Sequence, residues 1–428
     1  MNKEELSKLK VTELKEIAKE KEIDVTGLKK DQIIEKIIEN EEKLLEEKKE
    51  QEQKKDTAIP TSGILSILED GFGFLRNENY EAGDNNVYVS PTFIKKFKLK
   101  QGDFIEGKKR KPNEREKNET LIYIDKVNYL STSELRNRIP FEDLTPIYPC
   151  ERVKLERDQK ALTMRIMDLI TPIGKGQRGL IVSPPKAGKT TILKDIALSI
   201  LHTVKDAHLI ILLIDERPEE VTDIKETIHG KNVEIVYSTF DEQPQHHKYV
   251  SEMTIEHAKR LVEAGEDVFI LLDSITRLSR AYNLTESSSG KTLSGGLDPN
   301  ALYMPKRFFG AARNTKEKGS LTILATALID TGSKMDDVIY EEFKGTGNME
   351  LILSRKLQEK RIFPAIDIVK SGTRREDLIL TSKEQEAVSV IRKNLANAVR
   401  DDAIDNLINM FIRTKDNESL VNVIIKNQ

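Results

Sequence analysis

The sequence predicts a chain of several domains: a small N-terminal helical module, then a small β-barrel, then a large α/β domain. Three observations predict this order. Apolar residues recur at helical spacing near the N-terminus, short alternating stretches with turn residues follow, and runs that are apolar on both faces dominate the second half. Because 428 residues are too many for one ordinary core, separate binding and catalytic units are expected.

The boundaries follow from shifts in composition. Residues 1–42 form the predicted helical module, and residues 43–59, almost all charged or Gln, predict an exposed helix or a flexible tether. Residues 60–131 predict about four or five short strands, which suit a small barrel. After a linker at residues 132–150, apolar strands alternate with helices over residues 151–428, which predicts a covered parallel sheet. Its predicted strands are GLIVS, HLIILLID, NVEIVYS, DVFILLDS and SLTILATALI.

Composition excludes several classes of protein. The formal charge of −3 neither demands nor excludes a nucleic-acid partner, because local patches decide binding. The only cysteine, Cys150, has no second cysteine with which to form an internal disulfide, as expected in a reducing cytoplasm. No run approaches the about 18 apolar residues that span a bilayer, and the N-terminus lacks a signal-peptide core. A cytoplasmic protein without a membrane partner is expected.

The stretch SPPKAGKTT, Ser183–Thr191, lies between an apolar strand and a helical segment. It matches the end of the phosphate loop GxxxxGK[ST], although Ser183 replaces the first glycine. In such a loop Lys189 reaches the β and γ phosphates of ATP, and the Thr190 hydroxyl binds Mg²⁺. The alternative is a lysine-bearing loop before an unrelated helix. The strand before it and the helix after it favour a nucleotide site.

Acidic residues end two other predicted strands. Asp273 ends DVFILLD and is the candidate for orienting the metal's water shell, while Asp215 and Glu216 end HLIILLIDE. Glu216 is the predicted catalytic acid that polarises the attacking water, and Asp215 could share the task. Each acid alone could be a capping or loop carboxylate. Ligands of parallel sheets bind at the carboxyl ends of strands, so three such ends together favour one site.

The stretch LEDGFGFLR contains two rings at alternating positions, Phe72 and Phe74, followed by Arg76 on the same face. Tyr88 lies on the next alternating strand. Exposed rings beside a guanidinium form a stacking platform for unpaired bases, so these four residues predict a site for single-stranded nucleic acid. The alternative is that the rings fill the barrel core. Other residues already supply core candidates: Ile64, Leu65, Ile67, Leu75, Val87, Val89, Ile122 and Ile124.

The order of longer blocks closely resembles the Rho family of bacterial transcription termination factors. The resemblance runs from about Gly63 to near Asp405, and the N-terminal stretch is similar to the family's helical module. Its blocks are DGFGFLR, YVSP, RGLIVSPPKAGKT, LIDERPEEVTD, DSITRLSRAYN, PKRFFGAARN, TALIDTGSKMDDVIYEEFKGTGNMEL and FPAIDIVKSGTRRE. Two departures make the base preference uncertain: Leu121 stands where the family commonly has an aromatic contact, and Asn86 where an acid is common.

The resemblance implies an OB-fold or cold-shock-like barrel and a RecA-like ATPase domain. It further implies a homohexameric ring that hydrolyses ATP with Mg²⁺, moves 5′ to 3′ along RNA and acts on RNA polymerase with an elongation factor of the NusG type. Other classes with the same nucleotide core are a rotary ATP synthase subunit, a DNA recombinase, and an RNA-binding protein with an inactive ATP site.

The resemblance also implies roles for particular residues. Phe363 would stack on adenine, Arg217 would contact the nucleotide, and Arg374 would reach the γ phosphate bound by a neighbouring subunit. Lys291 and Lys334, in loops lining the ring's hole, would contact RNA, although from composition alone both loops could be plain surface loops. The remaining nucleotide contacts implied are Gly174, Lys175, Gly176, Gln177, Arg178, Gly179, Lys186, Ala187, Gly188 and Thr191.

Overall fold

The computed structural model describes residues 30, 33, 36, 58–81, 83, 86–113, 116–397 and 402–426. Except for three residues, the predicted helical module lies outside the described residues, as does the predicted tether up to residue 57. The chain divides into two compact units, Met1–Thr61 with Gly107–Tyr123, and Ser62–Glu106 with Ile124–Gln428. Among the helices of the described part, none is both long enough and apolar enough to cross a membrane.

The predicted barrel is present as a six-stranded sheet in the order β3-β2-β1-β4-β5-β6, with β3 also pairing with β5. Of the eight predicted core residues, Ile67 and Ile122 are only half-buried and the others are buried. One helix, α1, follows β3 and begins after Ser90, whose hydroxyl accepts a hydrogen bond from the Phe93 amide. The elements are β1 (Ile59–Ile67), β2 (Gly73–Arg76), β3 (Val87–Val89), α1 (Pro91–Phe97), β4 (Phe104–Arg110), β5 (Glu119–Val127) and β6 (Leu130–Ser131).

The α/β domain is built on a sheet in the order β12-β11-β13-β15-β10-β16-β17. The pairs from β12 to β16 are parallel, whereas β17 and the short β14 run antiparallel to their neighbours. The remaining strands are β7 (Pro146–Ile147), β8 (Arg152–Val153), β9 (Ile173–Gly174), β10 (Arg178–Ser183), β11 (His208–Glu216), β12 (Val233–Thr239), β13 (Asp267–Asp273), β14 (Arg313–Thr315), β15 (Ser320–Leu328), β16 (Met349–Ile352) and β17 (Gly372–Thr373).

Helices cover both faces of this sheet. They are α2 (Leu162–Ile170), α3 (Lys189–Thr203), α4 (Pro218–Thr227), α5 (Pro244–Glu263), α6 (Ile275–Thr285), α7 (Tyr303–Gly310), α8 (Lys334–Lys344), α9 (Arg355–Glu359), α10 (Ser382–Asn397), α11 (Asp402–Arg413) and α12 (Asn417–Lys426). Along β11 alternate residues enter two different cores, Leu209 and Ile211 on one face and Ile210 and Leu212 on the other. A strand buried on both faces is therefore apolar throughout, as the run HLIILLI predicts.

The barrel contacts the α/β domain through the predicted linker and helix α5. Phe141 and Leu144 of the linker are buried in one of the two cores of the α/β domain. Arg138 forms ion pairs with Asp103 of the barrel and, at 3.3 Å, with Glu263 of α5. Because all three side chains are almost fully covered, the barrel is attached by a buried charged network and by apolar packing.

Candidate nucleotide and nucleic-acid sites

The phosphate loop connects β10 to α3 at the carboxyl end of the sheet. Gly188 precedes the first helical residue with φ of 91°, a conformation that favours glycine. Lys189 is that first helical residue, and α3 points its free backbone amides toward the loop. The segment thus has the geometry that binds phosphate, a tight turn followed by a helix N-terminus.

Side chains from three neighbouring strands meet around the Lys189 ammonium group. It forms an ion pair of 2.7 Å with Asp273 at the end of β13 and a second ion pair with Glu216 at the end of β11. Thr326 of β15 donates a hydrogen bond of 2.7 Å to the same Asp273 oxygen. The predicted convergence of Lys189, Glu216 and Asp273 is therefore observed.

The cluster shifts the pKa values of its members in directions that suit catalysis. Burial and the nearby Asp273 carboxylate raise the pKa of Glu216 above its ordinary value, although Lys189 and Arg277 oppose the shift. Burial acts to lower the pKa of Lys189, but Asp273 and Glu216 outweigh burial and raise it. A carboxyl group with a raised pKa beside a permanent cation matches the requirements of a general base at neutral pH.

Arg277 and Thr326 were not predicted as site residues. Arg277 of α6 donates a 2.7 Å hydrogen bond to the Asp215 carboxylate and another to its carbonyl oxygen, and lies 3.8 Å from Glu216. Asp215 has a φ of 57°, so Arg277 clamps a turn in the left-handed region next to the predicted catalytic acid. The block DSITRLSRAYN contains Arg277, but only the strand order brings it to Asp215.

The other predicted loop residues lie around this cluster. The Thr190 hydroxyl donates a hydrogen bond of 3.0 Å to Glu220 of α4, an acid that was also not predicted. Ala187 is buried, whereas Lys186, Thr191 and Arg217 are exposed. The carbonyl of Lys186 accepts a hydrogen bond of 2.9 Å from Gln358.

An open cavity of about 590 Å³ adjoins the phosphate loop. Its lining includes Ala187, Gly188 and Thr191 of the loop region, and Phe363, whose ring is half exposed. Thr163 and Asp195 also line it and were not predicted. The cavity is of the size that holds small ligands, and an aromatic wall beside a phosphate loop fits a nucleotide base.

The segment Gly174–Gly179 does not lie in this crevice. It precedes and begins β10, so it lies at the opposite end of that strand from the phosphate loop, about 16 Å away for a strand of this length. Lys175 pairs there with Asp267 at 2.7 Å, and the buried Gln177 donates to Asn348 at 2.6 Å. The segment therefore lies away from the phosphate loop of its own chain, and its contact with a nucleotide stays a prediction.

That end of β10 instead borders a second cavity, of about 720 Å³, crowded with arginines. Arg178, Arg313, Arg374 and Arg375 line it, and Arg374 is exposed. Burial and the charges of Arg313 and Arg374 lower the pKa of Arg178. Arg375 forms an ion pair of 3.0 Å with Asp377. Four arginines around one cavity still favour an anionic ligand that comes from outside the chain.

The barrel brings the three predicted rings together. Their centroids lie 5.6–6.0 Å apart, and Phe74 directly opposes Tyr88 across the β2–β3 pair. Phe72 lies just before β2 and still joins the group, and all three rings are half-buried. They form a surface platform rather than part of the buried core.

Two further residues of the predicted RNA face are buried. Arg76 is only 9% exposed, so its contact with RNA stays a prediction. Its guanidinium lies over the Phe74 ring, 5.2 Å from the ring centre, as a cation–π partner. Leu121, at the place of a common aromatic contact, is 1% exposed and belongs to the core, while the adjacent Tyr123 is 55% exposed.

The two predicted RNA loops lie next to each other. A Cβ on Gly295 of the first loop would come within 2.5 Å of the Met335 amide nitrogen in the second. Arg280 pairs with Asp336 at 2.7 Å, which ties helix α6 to the second loop. Lys291 and Lys334 are both exposed on these loops. Two exposed ammonium groups on adjoining loops suit contacts with a phosphate backbone.

Comparison with known proteins agrees with this geometry. Residues 61–133 match the model of the Rho termination factor, RNA-binding domain, and residues 163–373 match that of the ATP synthase alpha/beta family, nucleotide-binding domain. The transcription termination factor Rho of Escherichia coli (strain K12) is 56% identical over 361 residues, 83% of this chain and 85% of that protein. The chain belongs to the Rho family. The Rho of Pseudomonas aeruginosa is also 56% identical, over 84% of this chain and 86% of that protein.

The α/β domain of this Rho family member has relatives in other ATPases. The assembled ATPase EscN of the enteropathogenic E. coli type III secretion system superposes with a TM-score of 0.56 at 21% identity, covering 74% of this chain and 79% of that one. A second type III secretion ATPase gives a TM-score of 0.52 at 23% identity, covering 66% of this chain and 85% of that one. These likenesses show a shared fold. The match of residues 163–373 to the ATP synthase alpha/beta nucleotide-binding domain confirms the predicted α/β ATPase domain.

Proposed function

We propose that this protein is an RNA-dependent ATPase and helicase that terminates transcription, acting as a homohexameric ring. One observation supports this function most directly: Glu216, Asp273 and Thr326, from three neighbouring strands, converge on Lys189 of the phosphate loop. Family membership supports the RNA substrate, and it supports RNA polymerase and an elongation factor of the NusG type as partners in the cytoplasm.

The nucleotide step uses the residues of the phosphate loop. ATP lies with its base against Phe363 and its phosphates along the loop, where Lys189 neutralises the β and γ phosphates. Glu216 accepts the proton of the attacking water, a role supported by its raised pKa.

The same crevice fits a divalent ion. Thr190 and Asp273 offer the hard oxygen ligands that Mg²⁺ prefers, and Glu220 lies against the Thr190 hydroxyl. When bound, Mg²⁺ supplies neutralisation of phosphate charge. Displacement of Lys189 from its two carboxylates by phosphate leaves those oxygens available to the ion's water shell.

Arg374 completes the site of a neighbouring protomer. It lies in the arginine cavity at the far end of β10, so it is too distant to reach a nucleotide in its own chain. A guanidinium inserted across an interface stabilises charge that develops in the transition state, and repeated head-to-tail contacts of this kind close into a ring. Arg178 and Gly176 line the same cavity, so their nucleotide contact is also across the interface.

RNA binds at two sites, one on the barrel and one on the two loops of the ATPase domain. The rings of Phe72, Phe74 and Tyr88 stack on unpaired bases, while Lys291 and Lys334 contact the backbone of the strand in the ring's hole. Stimulation by single-stranded RNA such as poly(C), but not by duplex DNA, distinguishes this function from that of a rotary ATP synthase subunit or a DNA recombinase.

The test of the catalytic assignment is Glu216→Gln. This variant keeps the side-chain volume and removes the base, so RNA-stimulated ATP hydrolysis should fall at least about 100-fold. Nucleotide affinity, measured with a fluorescent ATP analogue, should stay close to wild type. Wild-type turnover in Glu216→Gln would show that Glu216 is not the general base and that another acid activates the water.

A further inference from the structure

A histidine and two glutamates converge where the barrel meets helix α5. Glu81 follows β2 in the barrel, whereas Glu242 and His246 lie just before and at the start of α5. One ligand-capable atom from each residue lies within 4.8 Å of the other two. The group is far along the sequence from the phosphate loop, and neither the nucleotide nor the RNA assignments use it.

The hydrogen bonds of His246 define what its ring can accept. Its Nδ1 contacts Glu242 Oε2 and lies 2.7 Å from the Ser238 hydroxyl. That hydroxyl also lies 2.6 Å from Nδ1 of His247. The Glu242 carboxylate oxygen against Nδ1 requires a proton on that nitrogen, because two lone pairs would repel each other. Ser238 therefore accepts from His246 and donates its one O–H to His247, and the neutral His246 ring keeps its lone pair on Nε2.

The lone pair of His246 Nε2 faces a carboxylate oxygen. Nε2 lies 3.4 Å from Glu81 Oε1, and two electron-rich atoms in this position repel each other unless a cation lies between them. A charge-assisted N–H···O bond is shorter, about 2.7–2.9 Å. Two ligands bound about 2.0–2.2 Å from one tetrahedral ion are about 3.3–3.6 Å apart, which matches the observed separation.

The surroundings are those of a metal-binding histidine. The second nitrogen of such a ring usually faces a carboxylate, which fixes the tautomer and raises the basicity of the metal-binding nitrogen. Here the Nδ1 of His246 contacts Glu242 Oε2. The Glu81 carboxylate is held in turn by Asn79, whose side-chain amide donates to Oε1 at 2.9 Å. The side chain of Glu81 is 53% exposed, so an ion can enter from solvent.

We propose that Glu81 and His246 bind a divalent transition-metal ion of the Zn²⁺ class, and that Glu242 positions the His246 ring through Nδ1. An imidazole nitrogen with carboxylate oxygens favours Zn²⁺ over Mg²⁺ or Ca²⁺, which prefer oxygen alone. Two protein donors leave the remaining positions of a tetrahedral ion to water. The ion joins the loop after β2 of the RNA-binding barrel to the start of α5 in the ATPase domain, so it reinforces the connection between the two domains.

The test is titration of the full-length protein with ZnCl₂ by isothermal calorimetry, without nucleotide and with excess Mg²⁺ to occupy oxygen-only sites. One Zn²⁺ per chain is expected. His246→Ala and Glu81→Gln should each weaken binding by at least about tenfold. His229→Ala, which removes a different exposed histidine, is the matched control and should bind as wild type does. Circular dichroism verifies that each variant is folded.

Substitution with Co²⁺ gives a second readout, because a tetrahedral nitrogen and oxygen site produces visible absorption bands that His246→Ala should lose. Absence of stoichiometric Zn²⁺ binding to the folded wild-type protein would overturn the proposal, as would equal affinity in His246→Ala and wild type. In that outcome the Nε2 of His246 carries a proton and the contact with Glu81 is a hydrogen-bonded ion pair.

Discussion

Arg277 should tune the pH at which the catalytic acid works. Arg277→Gln removes a positive charge 3.8 Å from the Glu216 carboxylate and two hydrogen bonds to the turn at Asp215. Loss of a cation disfavours the ionised form of a carboxyl group, so the pKa of Glu216 rises further above its ordinary value. Because only the ionised form acts as a base, the acidic limb of the rate profile should move to higher pH.

The size of this effect follows from the geometry. Two unit charges 3.8 Å apart interact by about 1 kcal/mol in bulk water and by about 4 kcal/mol at an effective dielectric constant of 20. The side chain of Arg277 is 30% exposed, so solvent screening places the interaction near the lower value. One kcal/mol corresponds to about a fivefold loss of ionised Glu216 below its pKa.

The assay is kcat for RNA-stimulated ATP hydrolysis as a function of pH. We expect Arg277→Gln to lose about fivefold on the acidic limb and less at alkaline pH, where Glu216 is ionised in both proteins. Arg277→Lys retains the charge and should keep the limb close to its wild-type position. A profile of Arg277→Gln that falls by the same factor at every pH would refute the electrostatic role and leave only a structural one.

Two further predictions concern RNA binding and stability. Phe72→Ala with Phe74→Ala should weaken single-stranded RNA binding by about 30-fold or more in a filter assay, since each of the two stacks contributes about 1–3 kcal/mol. Leu68→Ala, an exposed apolar control in the same barrel, should bind normally. His257→Gln should lower the free energy of unfolding in urea by about 1.5–3 kcal/mol near pH 6 and by less at pH 9, because it removes a charged hydrogen bond to Glu234.

The pKa shifts of His257 and Glu234 explain why His257→Gln should cost more stability near pH 6 than at pH 9. Burial acts to lower the pKa of His257, but Glu234 outweighs burial and raises this pKa above the ordinary 6.5. The stabilisation from the charged pair is therefore complete below pH 6.5 and is lost as the pH rises through the pKa of His257 in the folded protein. Burial acts to raise the pKa of Glu234, but His257 lowers it below 4.5, so its contribution is lost only in acid. An equal effect of His257→Gln on the free energy of unfolding at both pH values would contradict the role of the charged pair. Unchanged RNA affinity in the Phe72→Ala, Phe74→Ala variant would contradict base stacking on these rings.

Much of the fold could be predicted because its signals are local. A strand covered on both faces must be apolar at every position, so β11 and β13 are visible as HLIILLI and DVFILL. Three site residues could be predicted for the same reason, because each ends such a strand or follows the loop after one. They are Glu216, Asp273 and Lys189. Strand ends in a parallel sheet meet at one edge whatever the order of the strands.

The residues that could not be predicted depend on strand order and packing. Thr326 reaches Asp273 only because β15 lies beside β13, and Arg277 reaches Asp215 only because α6 packs near the end of β11. Arg76 follows the rings in sequence, but the barrel covers its guanidinium. The segment from Gly174 to Gly179 resembles a nucleotide-binding motif, yet the direction of β10 places it at the other end of the sheet.

The central claim is that ATP is hydrolysed at interfaces to which one protomer gives Glu216 and its neighbour gives Arg374. The most direct measurement mixes two inactive variants, Glu216→Gln and Arg374→Ala, under conditions of subunit exchange. Random rings of the equal mixture contain an intact pair at about a quarter of their interfaces, so RNA-stimulated hydrolysis should reappear. A mixture as inactive as its components, or full activity of Arg374→Ala alone, would contradict hydrolysis at shared interfaces.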